Sequence, residues 1–295
     1  MRISHLKMGV IAALSLMSLI GLNSCERINH NTDTKEEVAT DIALVTTELA
    51  SIFEFFDESA DQTTAKGVPP YLKLQNFSKE TKIIVLDSTY YDGDAVEFLI
   101  DFGPTNIPLK PTQRCLDGRF RGGKIKVILE THYIENTAKS HVLVEDENGF
   151  VFGTESKTTT IDKLEVDVER KLKELMEYDV KHLEVGDKSL DFDGFITVEK
   201  ITGVNTPGIF GDQYVINGKG SVEVKDDEFK WNVGAPLKKK VEPGCGMIPV
   251  KGLLNLNLER LNRNITVDFD PFENESCDKI VRITNAGKMT DVILE

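Results

Sequence analysis

The chain has 295 residues with a formal net charge of -14, and 40% of its residues are hydrophobic. This composition is that of a folded protein, and the length suffices for one large domain or two smaller ones. A surface this acidic repels phosphate backbones and anionic lipid headgroups, so nucleic-acid binding is excluded.

The first 25 residues predict a lipid anchor. Arg2 and Lys7 precede an uncharged apolar run from Gly9 to Leu22, which is shorter than the roughly 20 residues that span a bilayer as a helix. A positive start, a short apolar run and small residues before a cleavage site are typical of a signal peptide. Leu22–Cys25 fits the processing pattern of bacterial lipoproteins, so we predict a lipoprotein signal peptide over residues 1–24. The alternative is an ordinary secretory signal that is cut nearby.

Lipidation of Cys25 would place the protein on a membrane. A diacylglycerol together with an N-linked acyl chain such as palmitate exceeds what stable anchoring needs. We therefore expect an outer-membrane lipoprotein of the cell envelope, and the choice between the periplasmic and the surface-facing side stays open. Residues 25–33 are polar and lack periodicity, which predicts a flexible tether.

An amphipathic helix is predicted over residues 34–62. Thr34–Glu37 fits a capping box at its start. Apolar residues then recur at spacings of four and three along one stripe: Val38, Ile42, Val45, Leu49, Ile52 and Phe56. The helix is expected to pack on its own sheet, with a coiled-coil contact to another chain as the alternative.

From residue 68 to residue 295 the pattern predicts antiparallel β structure. The predicted strands are 83–86, 95–102, 124–133, 141–145, 150–153, 158–160, 195–202, 213–216, 221–224, 229–233, 249–258, 265–269, 280–284 and 292–294. Asn217-Gly218 is predicted as a turn within a meander, and Lys238–Lys240 as a solvated guard at a sheet edge. For residues 161–185 we favour a strand start followed by a short helix or a strand-rich loop.

These elements give a mainly β fold. Many short strands with hairpin turns, and without alternating helices, favour an antiparallel sandwich or a curved open sheet, with the N-terminal helix packed on it. Residues 82–160 and 195–295 contain weakly similar motifs in the same order. If this similarity reflects a duplication, the β domain has two similar halves. Chance similarity among short β segments is the alternative.

Three cysteines remain once Cys25 carries lipid. Folding the last predicted hairpin about Asn262-Arg263 brings Cys245 and Cys277 nearly opposite each other. An exported protein can hold a disulfide, so we predict a bridge between these two. Cys115 is then free or pairs with another chain; the alternative is three reduced, partly buried thiols.

The sequence contains no catalytic motif. His30, His132, His141 and His182 stand in no recognisable motif, and no Gly-x-Ser-x-Gly occurs. We therefore predict no catalytic residue, no cofactor and no enzyme activity. An active site assembled only in three dimensions stays open, because sites are defined by geometry.

Two charged groups are weaker candidates for binding. Asp268, Asp270, Glu273 and Asp278 could supply oxygens to calcium, but they do not match the twelve-residue loop pattern, and turn acids in water are the favoured alternative. Lys110, Arg114, Arg119, Arg121 and Lys124 form the main basic patch. It could meet an acidic glycan or a partner's carboxylates, and internal ion pairing is the favoured alternative.

Short motifs in a fixed order run through residues 98–295. They are Asp101–Gly103, Cys115–Arg119, Arg121, Gly123–Ile125, Ile201–Gly203, Asn205–Gly208, Pro236-Leu237, Cys245, Asp268-Phe269 and Cys277-Asp278. Through them the chain resembles an uncharacterised family of predicted β-rich lipoproteins from Bacteroidetes-type bacteria, although Asp270 stands where that pattern has glycine. The resemblance implies a β fold and an outer-membrane or surface location, and it implies no activity.

Three functions are compatible with these observations. The first is a lipid-anchored, non-enzymatic binding or structural module that contacts an envelope protein or a glycan. The second is an envelope hydrolase or a carbohydrate-active accessory enzyme, which convergent carboxylates in a cleft would favour. The third is a carrier of lipid or another apolar ligand, which an apolar cavity between the helix and the sheet would favour.

Overall fold

In the computed structural model, the described residues are 35–61, 71–73, 78, 80–88, 95–106, 110–133, 137–144, 148–154, 157–203, 211–225, 227–242, 245 and 248–294. The predicted signal peptide, Cys25, the tether and Thr34 lie outside them. Within these ranges the chain forms one long helix and twenty strands, and the strand pairings are antiparallel.

The helix, α1, covers residues 35–61, close to the predicted span. Apolar side chains fill its stripe as predicted, but burial extends around most of its circumference. Phe53 stacks on Tyr178 with ring centroids 3.8 Å apart, and Phe56 meets the edge of Tyr133 at 5.4 Å. A helix that is buried on nearly all sides is a core element rather than a surface element.

The strands are numbered in chain order. The first ten are β1 (Tyr71–Lys73), β2 (Lys82–Asp87), β3 (Val96–Asp101), β4 (Thr105–Asn106), β5 (Lys110–Pro111), β6 (Gln113–Arg114), β7 (Phe120–Gly122), β8 (Lys124–Leu129), β9 (Lys139–Val144) and β10 (Phe150–Gly153). The others are β11 (Thr158–Ile161), β12 (Lys163–Arg170), β13 (Leu175–Val185), β14 (Leu190–Thr202), β15 (Gln213–Val224), β16 (Asp227–Lys240), β17 (Lys251–Leu258), β18 (Arg263–Asp268), β19 (Ile280–Asn285) and β20 (Lys288–Ile293). Short 3-10 turns at Gly186–Lys188 and Glu259–Leu261 connect β13 to β14 and β17 to β18.

Fourteen strands form one open sheet in the order β1-β2-β3-β8-β9-β12-β13-β14-β15-β16-β17-β18-β19-β20. The chain leaves this meander twice, to form a four-stranded sheet (β11-β10-β7-β6) and a two-stranded pair (β4-β5). The mainly β, antiparallel fold with one N-terminal helix is therefore confirmed, in its open-sheet form. The large sheet includes strands from both proposed halves and from the segment between them.

The large sheet curves around α1. Near the start of the helix, Lys35 pairs with Asp227 on β16, and Thr290 on β20 donates to Glu36. Farther along α1, Phe53 stacks on a ring of β13. One helix can reach strands this far apart only if the sheet bends, and the inward residues of each strand alternate with polar outward residues, as in strands packed on one face.

The segment 161–185 corrects one prediction. It forms the hairpin of β12 and β13, so the predicted short helix is absent. Val166, Val168, Tyr178 and Val180 all point into the core. Their period-two burial outweighs the helix propensity of residues 170–178, because tertiary packing overrides intrinsic preference.

The predicted turn at Asn217-Gly218 is also wrong, because β15 runs straight through it with a bulge between Ile216 and Lys219. The glycines here make room for a ring instead. A Cβ on Gly220 would lie 2.6 Å from Trp231 Nε1, and one on Gly194 would lie 2.4 Å from Trp231 Cζ2. The small residues of β14 and β15 thus form a slot for the single tryptophan.

Candidate functional site

The charged residues of α1 pair with basic residues inside the protein. Arg121 Nε donates to Glu48 Oε1 at 2.6 Å, and Arg119 Nη1 donates to Glu48 Oε2 at 2.7 Å. Asp117 accepts from Arg121 Nη2 at 2.7 Å; although burial opposes its charge, the adjacent Arg121 lowers the pKa of this carboxyl. Internal ion pairing is therefore confirmed for these two arginines of the predicted basic patch.

Two further acids of α1 also have partners on other segments of the chain, one a lysine and the other a tyrosine hydroxyl. Glu54 pairs with Lys239, whose side chain is fully buried on β16. Burial raises the pKa of Glu54 and lowers that of Lys239, because the charged form of each loses its hydration. The prediction of a solvated guard at residues 238–240 is thus wrong for its central lysine. Asp57 accepts from the hydroxyl of Tyr133, and burial raises its pKa.

The space between α1 and the sheet is small. A pocket lined by Phe53, Asp57, Tyr178, Lys200 and Tyr214, among others, holds about 20 Å³. That is room for a water molecule rather than for a lipid chain. Beside it, Lys200 pairs with the buried carboxylate of Asp212 at 2.5 Å. Where the described residues of α1 and the sheet line this pocket, the region in which an apolar-ligand cavity was expected holds aromatic rings and charged groups.

A larger depression lies on the opposite, outward face of the sheet. We call it the outer groove; it has a volume of about 380 Å³. Its lining comes from β9, β12, β13, β14 and the end of β8: Glu130, Lys139, Ser140, His141, Asp167, Val168, Glu169, Glu177, Asp179 and Phe195. The volume falls within the range of small-ligand sites, and five of the ten lining residues are acids.

His141 lies between two of these acids. Its Nδ1 is 2.8 Å from Asp167 Oδ1, and its Nε2 is 2.8 Å from Glu130 Oε1. Partial burial opposes the charged ring, but the hydrogen bonds to the two carboxylates prevail and raise the pKa of His141. With both ring nitrogens donating, the ring is favoured as a cation that joins two strands.

Two lysines beside the outer groove pair with its acids, and one of its lining residues is an exposed aromatic ring. Lys171 Nζ lies 2.7 Å from Glu169 and 3.2 Å from Glu177. Lys181 pairs with Asp179. Phe195 is 40% exposed although it is a large apolar residue. The groove therefore combines partly exposed acids with one aromatic surface, which suits binding of a cationic or amphipathic group.

The sequence pattern does not indicate that the residues around His141 form a site. His141 and Asp167 face each other across β9 and β12, and Ile128 on β8 is the other neighbour of His141. The period-two pattern assigns both polar side chains to the outward face. The two residues are neighbours only because β9 and β12 pair in a particular register. The length of the connection between these strands, residues 145–162, does not by itself specify that register.

The predicted disulfide is present: Cys245 and Cys277 are joined, with Cα atoms 4.9 Å apart. The centre of the hairpin lies two residues before the predicted one, because the turn is at Glu259–Leu261, so each pairing partner differs by four residues. Cys115 is buried and unpaired among the described residues, and burial raises its pKa to about 11.

The calcium candidates make hydrogen bonds within their own loop. Asp268 Oδ1 accepts from the amide of Asp270 at 2.9 Å. Asp270 Oδ1 in turn accepts from the amides of Asn274 and Glu275. Asp278 accepts from the Ser276 hydroxyl and the Ile280 amide. Glu273, with φ of 55°, closes the turn that these bonds define. These contacts account for the acids as turn residues.

Comparisons with family models, with curated proteins and with solved structures gave no match. Among the described residues, no helix has the length and apolar character needed to cross a membrane.

Proposed function

We propose that this chain is a lipid-anchored, non-enzymatic binding protein of the bacterial cell envelope, and that its outer groove takes a positively charged segment of a partner protein. Cys25 would hold it on the outer membrane. The observation that carries the proposal is the outer groove itself, where five acids surround an exposed phenylalanine.

Charge complementarity supports a cationic ligand. The groove acids belong to a protein with a formal net charge of -14, so the local field adds to that of the whole surface. His141 and Lys139 in the lining, and Lys171 and Lys181 beside it, offset part of this negative charge. The ion pairs of Lys171 and Lys181 are exposed, and exposed pairs are weak and exchangeable. A lysine- or arginine-rich segment could displace them, and Phe195 offers a surface for the alkyl stems of such residues.

The filled interior supports binding on the outside. α1 occupies the concave face of the sheet and is fixed there by buried pairs such as Glu48–Arg121 and Glu54–Lys239. A lipid or another apolar ligand would have to displace the helix and leave those charges without partners. Such a step costs several kcal/mol for each buried charge.

The hydrolase alternative is weaker because of the geometry of His141. A histidine base needs one ring nitrogen free to take a proton from water or a nucleophile. In the outer groove both nitrogens of His141 are bonded to carboxylates.

Binding of a labelled lysine-rich peptide to the full chain, followed by fluorescence anisotropy, tests the proposal. Glu177→Gln/Asp179→Asn should weaken binding at least about tenfold. The matched control is Glu242→Gln/Glu259→Gln, which removes the same charge from two other exposed acids. Equal weakening by the two double variants would mean non-specific attraction and would overturn the proposal, as would tighter binding of a neutral oligosaccharide. In cells, photocrosslinking from position 195, with Cys25→Ala as a control for anchoring, would then identify the partner.

A further inference from the structure

A β-bulge in β13 turns a histidine outward. Val180 pairs with Gly194 and Leu183 pairs with Phe192, so two residues of β13 oppose one residue of β14. Val180 and Leu183 are both buried. In a regular strand the residue between Lys181 and Leu183 would face the core. Because of the bulge, His182 instead lies on the outward face.

This placement brings His182 beside two carboxylates. Glu184 lies two residues along β13, and Asp191 is its cross-strand partner on β14. One potential ligand atom from each of these three side chains lies within 4.8 Å of the other two. His182 Nε2 and Glu184 Oε2 are 3.7 Å apart, so small rotations of exposed side chains suffice to bring the three onto one ion.

The two carboxylates lack a basic partner. Within the described part of the chain, no Lys or Arg nitrogen lies within 4 Å of a carboxylate oxygen of Glu184 or Asp191. A bound cation would compensate the negative charge of these two carboxylates.

His141 shows what distinguishes this arrangement. It also contacts two carboxylates, but each occupies a different ring nitrogen, so the oxygens lie on opposite sides of the ring. No single ion could contact all three groups there. At His182, by contrast, one potential ligand atom from each of the three side chains lies within 4.8 Å of the other two.

We propose that His182, Glu184 and Asp191 bind a divalent transition-metal ion of the zinc class on the outward face of β13 and β14. One imidazole nitrogen and two carboxylate oxygens are a ligand set that zinc accepts, at metal–ligand distances of roughly 2.0–2.2 Å. The imidazole favours zinc over calcium, which prefers oxygen ligands alone. The exposed position leaves coordination sites for water, so the ion would exchange readily. This inference is independent of the proposed peptide-binding function.

Isothermal titration of the full chain with Zn²⁺ tests the site, with far-UV circular dichroism as the check on folding. The wild-type chain should take up one ion saturably, and His182→Gln should abolish that uptake. His141→Gln is the matched control, because it removes the other strand histidine that contacts two carboxylates, and it should leave uptake unchanged. Asp191→Asn should weaken uptake at least about tenfold.

Cobalt gives a second readout that does not depend on stability. Co²⁺ bound by His182 should show visible d–d absorption that His182→Gln removes and His141→Gln retains. Equal zinc uptake by wild type and His182→Gln would overturn the proposal. So would the absence of saturable uptake by the wild type, or displacement of the zinc by equimolar Ca²⁺.

Discussion

Lys239 on β16 and Glu54 on α1 form an ion pair in the interior, with side-chain exposures of 0% and 6%. Desolvation makes such a pair costly to bury, but removing only one partner leaves the other charge buried and alone. The pair therefore contributes more to the specific placement of α1 against the sheet than to net stability.

Lys239→Met should lower the free energy of unfolding by about 3–5 kcal/mol, because Glu54 would remain buried without its cation. Glu54→Leu/Lys239→Met should recover most of that loss, since two apolar groups of similar size need no compensation. Urea unfolding of the single and double variants measures both. A double variant as unstable as the single would contradict this account.

Loss of the Cys245–Cys277 disulfide should also lower stability. The bridge spans a sequence separation of 32 residues, and closing such a loop contributes about 3–4 kcal/mol by the chain-entropy account. Cys245→Ser/Cys277→Ser is the variant, and Cys115→Ser serves as the control for loss of a buried thiol. In reducing buffer, the unfolding midpoint of the wild type should approach that of the double variant and not that of the control.

Glu275 should titrate far below an ordinary glutamate. Hydrogen bonds from Lys238, Lys240 and Lys251 lower its pKa to about 2. Since the folded pKa lies below the unfolded value, its contribution to stability is present above about pH 4.5 and is lost as the pH falls through about 2. The carboxyl ¹³C shift of Glu275 measures this directly, and Lys238→Gln should move the midpoint upward. A midpoint near 4.5 in the wild type would refute the three-lysine arrangement.

His141 should titrate above 6.5, the ordinary value for histidine, because Glu130 and Asp167 stabilise its cation. Its contribution to stability is therefore present below the unfolded pKa and fades as the pH rises through the folded one. Ring-proton NMR gives the midpoint, and Glu130→Gln should shift it downward. An unshifted midpoint in the variant would place Glu130 outside hydrogen-bond reach in solution.

Local pattern predicted many of the strands, although not β13 or the short strands β4–β7, and it did not predict where the charged residues face. The alternation of apolar and polar residues around Val142 and Ile196 was sufficient to predict strands there, because apolar residues at every second position indicate a half-buried strand. The run Lys238–Lys240 was predicted to be exposed to solvent, because it contains three lysines. In the structure β16 lies between β15 and β17, and the alternation of side chains along the strand turns Lys239 inward. Only the partner, Glu54, makes that position tolerable, and no local signal links residues so far apart.

The outer groove and the His182 site could not be predicted from the sequence, because they depend on the pairing register of distant strands and on a β-bulge. Glu130, His141 and Asp167 come from neighbouring but separately patterned segments, so their convergence follows from pairing alone. His182 faces outward only because of the bulge near it. A period-two pattern cannot reveal a bulge in advance, since the extra residue looks like an ordinary break in alternation.

The enclosure of α1 has a consequence for the order of folding. Lys35 of α1 pairs with a residue 192 positions later in the chain, and Glu36 pairs with one 254 positions later. Contacts so distant in sequence form slowly. The charged start of α1 therefore reaches its partners only after β16 and β20 have been made, so we expect this part of the core to close later than the contacts of Phe53 and Phe56 with Tyr178 and Tyr133.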